Sequence, residues 1–166
     1  MRKILRLAII GAITYVLMNA STFGWNIFSR SSLKCGPPDF LLAQRLRHHV
    51  IEIASVRGDR SLFQYENLTS TAEYIAGQLR ECGYEVKFQE YALEGKTARN
   101  IIAIKKGNRL PDEKIIVGAH YDSCFNPGAD DNASGIAGLI ELASLLSNIE
   151  LDHTLRFVAF VNEEPP

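Results

Sequence analysis

The stretch that decides the fold begins Ile115-Ile116-Val117-Gly118-Ala119-His120-Tyr121-Asp122 and continues through Asp130-Asp131-Asn132-Ala133-Ser134-Gly135 to Leu146. Its opening is a short, uninterrupted apolar run, the pattern of a strand buried on both faces. A polar, Gly- and Pro-containing loop follows, and then an apolar segment, 133–146, long enough for a helix packed inside. A second apolar run, 155–161, reads as another buried strand and ends at Asn162-Glu163-Glu164. Apolar strands alternating with helices specify an α/β fold with a mixed sheet that is parallel at its centre.

Working outward, Asp39 is placed to cap a helix over 40–56. Its apolar positions Leu42, Leu46, Val50, Ile53 and Ala54 recur at helical spacing. Ser70-Thr71-Ala72-Glu73 matches a capping box and predicts a second helix from about Ser70. That helix would bury Ala72, Ile75, Ala76, Leu79 and Cys82, with Gly83 as its C-terminal glycine. Residues 84–93 and 100–105 read as neighbouring strands with Gly95 in the turn between them.

The bulk properties fit one globular domain. The chain has 166 residues, 46% of them apolar and 22% charged, with a net charge of −1. The charge is uneven. Residues 1–34 hold five bases and no acid, so the remainder carries 13 basic against 19 acidic residues. A net-acidic domain argues against a nucleic-acid partner, which normally meets a basic patch.

Arg2, Lys3 and Arg6 precede an apolar stretch from Leu7 to Met18, followed by Asn19-Ala20-Ser21. This is the pattern of a secretory signal, with an uncleaved membrane anchor as the alternative. The expected organisation is therefore a signal or anchor over 1–23, a linker over 24–38 and a folded domain over 39–166. The expected location is outside the cytoplasm, free or membrane-anchored. The three cysteines, Cys35, Cys82 and Cys124, lack metal-type spacing. Export would permit one disulfide, with its pairing left open.

Three chemistry-bearing segments meet at strand ends, where α/β sheets build their sites. His120 follows one strand and can supply a metal nitrogen. Asp131 precedes the helix and has two oxygens with which to bridge two ions. Glu164 follows the other strand and can hold the second ion. Asp122 lies two residues past His120, placed to orient its imidazole. Glu163 adjoins a ligand and can act as general base. Each feature also has a plainer reading. Asp130-Asp131-Asn132 suits a helix cap, and Glu163-Glu164 before Pro165-Pro166 suits a solvated turn.

The blocks Gly118–Ser123, Pro127–Gly135 and Phe160–Pro166 closely resemble the co-catalytic zinc aminopeptidases, family 28 of the metallopeptidases, which also contains glutamate carboxypeptidases and glutaminyl cyclases. The resemblance covers about residues 40–166. It implies a three-layer zinc-exopeptidase sandwich, a peptide substrate and release of N-terminal amino acids. It implies two zinc ions, with His120 on one, Asp131 bridging, Glu164 on the other, Glu163 as general base and Asp122 orienting His120. It also implies a cis peptide between Asp131 and Asn132. The family pattern has two further ligands downstream, an Asp and a later His. His48, His49 and His153 are poor substitutes for them by position. The expectation is thus the N-terminal part of such an enzyme, incomplete in ligands and inactive as residues 1–166 alone. A non-catalytic fragment or interaction domain and a glutaminyl cyclase-like enzyme are the alternatives.

Overall fold

The computed structural model describes residues 39–165. The expected signal or anchor over 1–23 and linker over 24–38 lie outside the described residues. Among the described residues no helix is long and apolar enough to cross a membrane.

Helix α1, Phe40–Val50, starts where the sequence places it, with Asp39 Oδ1 accepting the Leu42 N–H at 3.0 Å. The Asp39 side chain satisfies one of the amides that a helix start leaves without an internal partner. A wider turn, Ile51–Val56, continues the helix and buries Ile53 and Ala54. A 3-10 turn, Leu62–Gln64, leads into α2, Tyr65–Glu81.

Helix α2 begins five residues before the expected Ser70. The capping-box residues sit inside it: Thr71, like Thr69 just before the box, turns its hydroxyl back onto a carbonyl four residues earlier, Asn67 for Thr71 and Tyr65 for Thr69, each at 2.8 Å. Such i−4 bonds let a hydroxyl residue sit in a helix interior, so the motif marks no boundary here. The expected stripe is buried at Ala72, Ile75, Ala76 and Leu79, with Cys82 half-buried. Gly83, at φ 87°, ends the helix. The Tyr84 N–H reaches back to the Leu79 carbonyl at 3.2 Å, as a Schellman turn requires.

Strands β1, Glu85–Leu93, and β2, Lys96–Lys105, form a hairpin closed by Glu94 and Gly95, both at positive φ. Two left-handed residues make the tight turn whose twist suits antiparallel partners. Strand β3 runs Leu110–His120 and β4 runs His153–Phe160. Between them lie the wide turn Ala129–Ser134 and helix α3, Gly135–Leu146.

The sheet order is β1-β2-β4-β3. The β1–β2 and β2–β4 pairings are antiparallel and β3–β4 is parallel. The α/β class and mixed sheet are as expected, with the parallel pairing between β3 and β4. Helices α2 and α3 pack on one another and against one sheet face, α2 over β1 and β2 and α3 over β3 and β4, while α1 packs on α3. Two of the three layers implied by the resemblance therefore fall within the described residues. Ile101, Ala103, Phe157 and Ala159 point from that face into the core and are wholly buried.

One expectation is overturned. The run 115–119 is not buried on both faces. Among the described residues β3 is an edge strand, and Ile115 and Ile116 are 52% and 60% exposed. An apolar run records only that both faces suit apolar cover, and the pairing of the strand decides which receive it.

A buried polar knot ties the helices together. His49 and Glu141 are each 4% exposed. Burial, with Glu52 adding to it, pushes the Tyr74 hydroxyl up to about 12, so it keeps its proton. It lies 2.6 Å from His49 Nδ1, while His49 Nε2 faces Glu141 Oε1 at 3.2 Å. The network assigns the proton to Nε2: Tyr74 donates to Nδ1, and Nε2–H donates to Glu141. Arg45 Nε donates to the other Glu141 oxygen at 2.8 Å. Each of these groups thus has a partner, which buried polar groups need.

Candidate metal centre

Parallel pairing of β3 with β4 sets His120 opposite Phe160. The next backbone bond, Tyr121 N–H to the Phe160 carbonyl, is 2.9 Å. Both strands therefore end together, and the segments carrying Asp122 and Glu163-Glu164 leave the same rim. Gly118 permits this close pairing, since a Cβ there would lie 2.5 Å from the Phe160 ring.

The imidazole of His120 has two distinct sides. Nδ1 faces Asp122 Oδ1 at 3.5 Å, and both residues are almost fully buried. Neither atom has another hydrogen-bond partner. Two otherwise orphaned polar atoms facing one another form an orienting pair that needs only a few tenths of an ångström to close. The other Asp122 oxygen accepts the Glu164 N–H at 3.0 Å.

On the outer side, His120 Nε2 lies 2.9 Å from Asp131 Oδ1 and 3.8 Å from Glu163 Oε2. The side chains of these two acids are 74% and 62% exposed. The site is thus a buried, oriented imidazole aimed at an open carboxylate shelf.

Asp131 reaches this shelf because the chain leaves helical geometry there. Its φ/ψ are −111°/94° and those of Asn132 are −137°/42°. The Asp131–Asn132 peptide is cis, as the resemblance implies. Of the Asp130-Asp131-Asn132 run, Asn132 takes the capping role: its Oδ1 accepts the Gly135 N–H at 3.0 Å. Asp131 is left free for the site.

The sequence reading brought His120, Asp122, Asp131 and Glu163 together, and the structure places the three acids within reach of the His120 imidazole. For Glu164 it places the backbone at Asp122, with no contact of its carboxylate to His120 or Asp131. His153 stands at the start of β4, at the opposite end of the strand, as expected. Cys82 and Cys124 are free thiols.

Among the described residues no three His, Cys, Asp or Glu side chains form a complete metal cage. The donors present nevertheless fit part of one. Two donors of a tetrahedral zinc ion at ~2.0–2.1 Å each stand roughly 3.3 Å apart, near the 2.9 Å between His120 and Asp131. A ring nitrogen turned to a carboxylate on the far side is what a metal-bound imidazole requires.

Supporting residues escaped the sequence reading. Asn100 Oδ1 accepts the Val161 N–H at 3.0 Å and Tyr91 donates to the Val161 carbonyl at 3.0 Å, fixing the exit of β4. Tyr121 is buried and donates to the Arg99 carbonyl at 2.9 Å. Burial, reinforced by nearby Asp122, raises its pKa well above the ordinary tyrosine value. Arg60 is fully buried, although Gly58-Asp59-Arg60 reads as a polar loop. No local signal marks these roles, because each partner is distant in sequence.

Residues 100–165, which span β2 to the acidic pair and include every candidate site residue, match the model of Peptidase family M28. This segment of the chain belongs to peptidase family M28. The chain is 40% identical over 116 residues to YfbL of Escherichia coli, an alignment covering 64% of this chain and 35% of YfbL. It is 44% identical over 75 residues to the aminopeptidase YwaD of Bacillus subtilis, covering 44% of this chain and 16% of YwaD. The chain thus spans only about a third or less of these relatives. Among solved structures, a zinc aminopeptidase from Bacillus subtilis superposes with a TM-score of 0.64 at 15% identity, over 71% of this chain and 60% of that one. A glutaminyl cyclase from Bacteroides thetaiotaomicron gives 0.59 at 23% identity, over 75% and 46%. These two likenesses establish the zinc-exopeptidase type of fold.

Proposed function

We propose that the M28 segment is part of a zinc-dependent aminopeptidase that releases N-terminal amino acids from peptides outside the cytoplasm. The observation that carries this reading is the single imidazole, His120, backed by Asp122 and facing both Asp131 and Glu163. The family match and the relationship to YwaD support it.

In this proposal His120, Asp131 and Glu164 would be the residues that hold the zinc. Bound zinc would supply Lewis acidity toward the peptide carbonyl and toward water. Asp122 keeps the His120 ring in position by engaging Nδ1, which leaves Nε2 for the ion. Glu163, exposed beside Nε2, accepts a proton from the attacking water at a carboxylate oxygen and delivers it to the departing amine. Glu164, whose backbone is pinned to Asp122, would add its carboxylate to the metal.

Residues 1–166 would give each ion about two protein donors where a catalytic zinc usually has three. Weak metal retention and no turnover are therefore proposed for this stretch alone. The N-terminal basic and apolar segment would direct export or anchor the protein.

The test is release of free amino acids from a panel of aminoacyl 4-nitroanilides, with and without a chelator. It should be run on residues 1–166 and on any longer form. Chelator-sensitive release by the longer form alone is expected. Conversion of an N-terminal Gln peptide to pyroglutamate would instead favour the cyclase reading, which the glutaminyl cyclase fold likeness keeps in view. Absence of both activities and of bound zinc would leave the non-catalytic reading.

A further inference from the structure

Arg60 is 0% exposed and makes no ion pair with a carboxylate among the described residues. Its guanidinium donates only to backbone carbonyls. Nε reaches Tyr121 O at 2.7 Å and Nη2 reaches Gly128 O at 3.2 Å. Nη1 donates to Pro127 O, to Gly58 O at 2.8 Å and to Ile53 O at 3.3 Å. Its own backbone N–H donates to Ser123 Oγ at 3.0 Å, and that hydroxyl donates to Asn126 O at 2.8 Å.

The positions of these carbonyls matter more than their number. Tyr121 directly follows His120. Pro127 and Gly128 stand just before the wide turn that carries Asp131. One rigid, planar group therefore grips both ends of the loop separating the imidazole from the carboxylate. Gly128 is fitted to the grip: it sits at φ 50°, and a Cβ there would lie 2.8 Å from Arg60 Nη2 and 2.4 Å from Asp131 O. The Gly128 carbonyl also accepts the Ala133 N–H at 3.0 Å, which links the grip to the turn itself.

We propose that Arg60 is a positioning residue for the candidate metal site: its guanidinium sets the separation of His120 Nε2 and Asp131 Oδ1 by clamping residues 121 and 127–128 together. This role rests on the proposed metal function for its consequence, although the clamp itself is independent of it. A lysine carries its three donors on one compact nitrogen, and so cannot reproduce the planar spread by which Nε, Nη1 and Nη2 reach Tyr121, Pro127 and Gly128 from separate positions.

The experiment compares the full chain with R60K and R60Q. Cobalt(II) is titrated into each and followed by visible absorption. The ring nitrogens of His120 are observed by NMR in metal-free samples, and thermal unfolding reports on the fold. In folded R60K, cobalt affinity should drop about 10–100-fold, the range typical of groups that orient ligands from outside the coordination shell. The His120 ring signals should also lose the signature of the bond to Asp131. Affinity within twofold of the parent and unchanged ring signals in folded R60K would overturn the proposal. If the parent takes up no cobalt, the metal reading fails, and the metal-free ring signals still decide the role of Arg60. If neither variant folds, the guanidinium protons of Arg60 in the parent decide it. Separate, slowly exchanging Nη signals that shift with His120 on metal addition or on acidification support the clamp, and one averaged, unresponsive signal rejects it.

Discussion

The carboxylate of Asp122 accepts the backbone N–H of Glu164 at 3.0 Å. Its other oxygen faces His120 Nδ1 at 3.5 Å. One buried acid thereby joins the ends of β3 and β4 and fixes the ring between the acidic pair and Asp131. Asp122→Ala leaves a buried ring nitrogen and a backbone amide without partners. A loss of about 1–3 kcal/mol is expected, read by urea unfolding. Zinc affinity should fall by roughly 10–100-fold, read by calorimetry.

Glu163→Gln separates proton transfer from metal binding. Among the described residues Glu163 makes no ion pair beyond the 3.8 Å approach to His120. In the longest active form, turnover should fall by about 10²–10⁴-fold, the range for a lost general base. Zinc content by atomic absorption should stay close to the parent's. A parallel loss of zinc would assign Glu163 to the metal instead.

Stability should depend on pH through His49. Burial holds its pKa below the usual histidine value, with the Glu141 bond opposing part of that effect. The folded protein thus binds this proton less readily than the unfolded chain. The contribution is complete above the unfolded pKa of ~6.5 and is lost as pH falls from there toward the folded pKa. Thermal melts from pH 7.5 downward should show Tm declining below about 6.5. In His49→Gln that decline should be shallower.

Gly128→Ala tests the turn that delivers Asp131. The left-handed backbone alone costs an L-residue about 1–2 kcal/mol. The Cβ would also sit 2.4 Å from the Asp131 carbonyl oxygen. A Tm drop of several degrees is expected, together with weaker zinc binding.

Phe157→Ala removes a fully buried ring that meets Tyr84 edge-on at 5.5 Å between centroids. A cost of about 3–5 kcal/mol is expected, measured by chemical denaturation. The loss should be global, because Phe157 lies on the central strand β4.

The sequence by itself determined the elements whose causes are local. Asp39 caps α1, Gly83 ends α2, Gly95 turns the hairpin and the apolar stripe of α2 is buried, because each depends on neighbours a few residues away. It also marked the candidate residues His120, Asp122, Asp131, Glu163 and Glu164, which sit in recognisable blocks, and of these Asp122, Asp131 and Glu163 meet the His120 ring. Tertiary structure alone decided where the long-range partners fall. It moved the start of α2 to Tyr65, since packing and hydroxyl back-bonding outweighed a capping pattern. It placed the apolar run of β3 at an edge, since burial follows strand pairing. It gave the cap of α3 to Asn132 and the shelf to Asp131, since the chain leaves helical geometry between them. It also buried Arg60 among carbonyls contributed by residues 53 to 128. A buried cation has to satisfy its donors wherever acceptors converge, and that convergence exists only once the chain has folded.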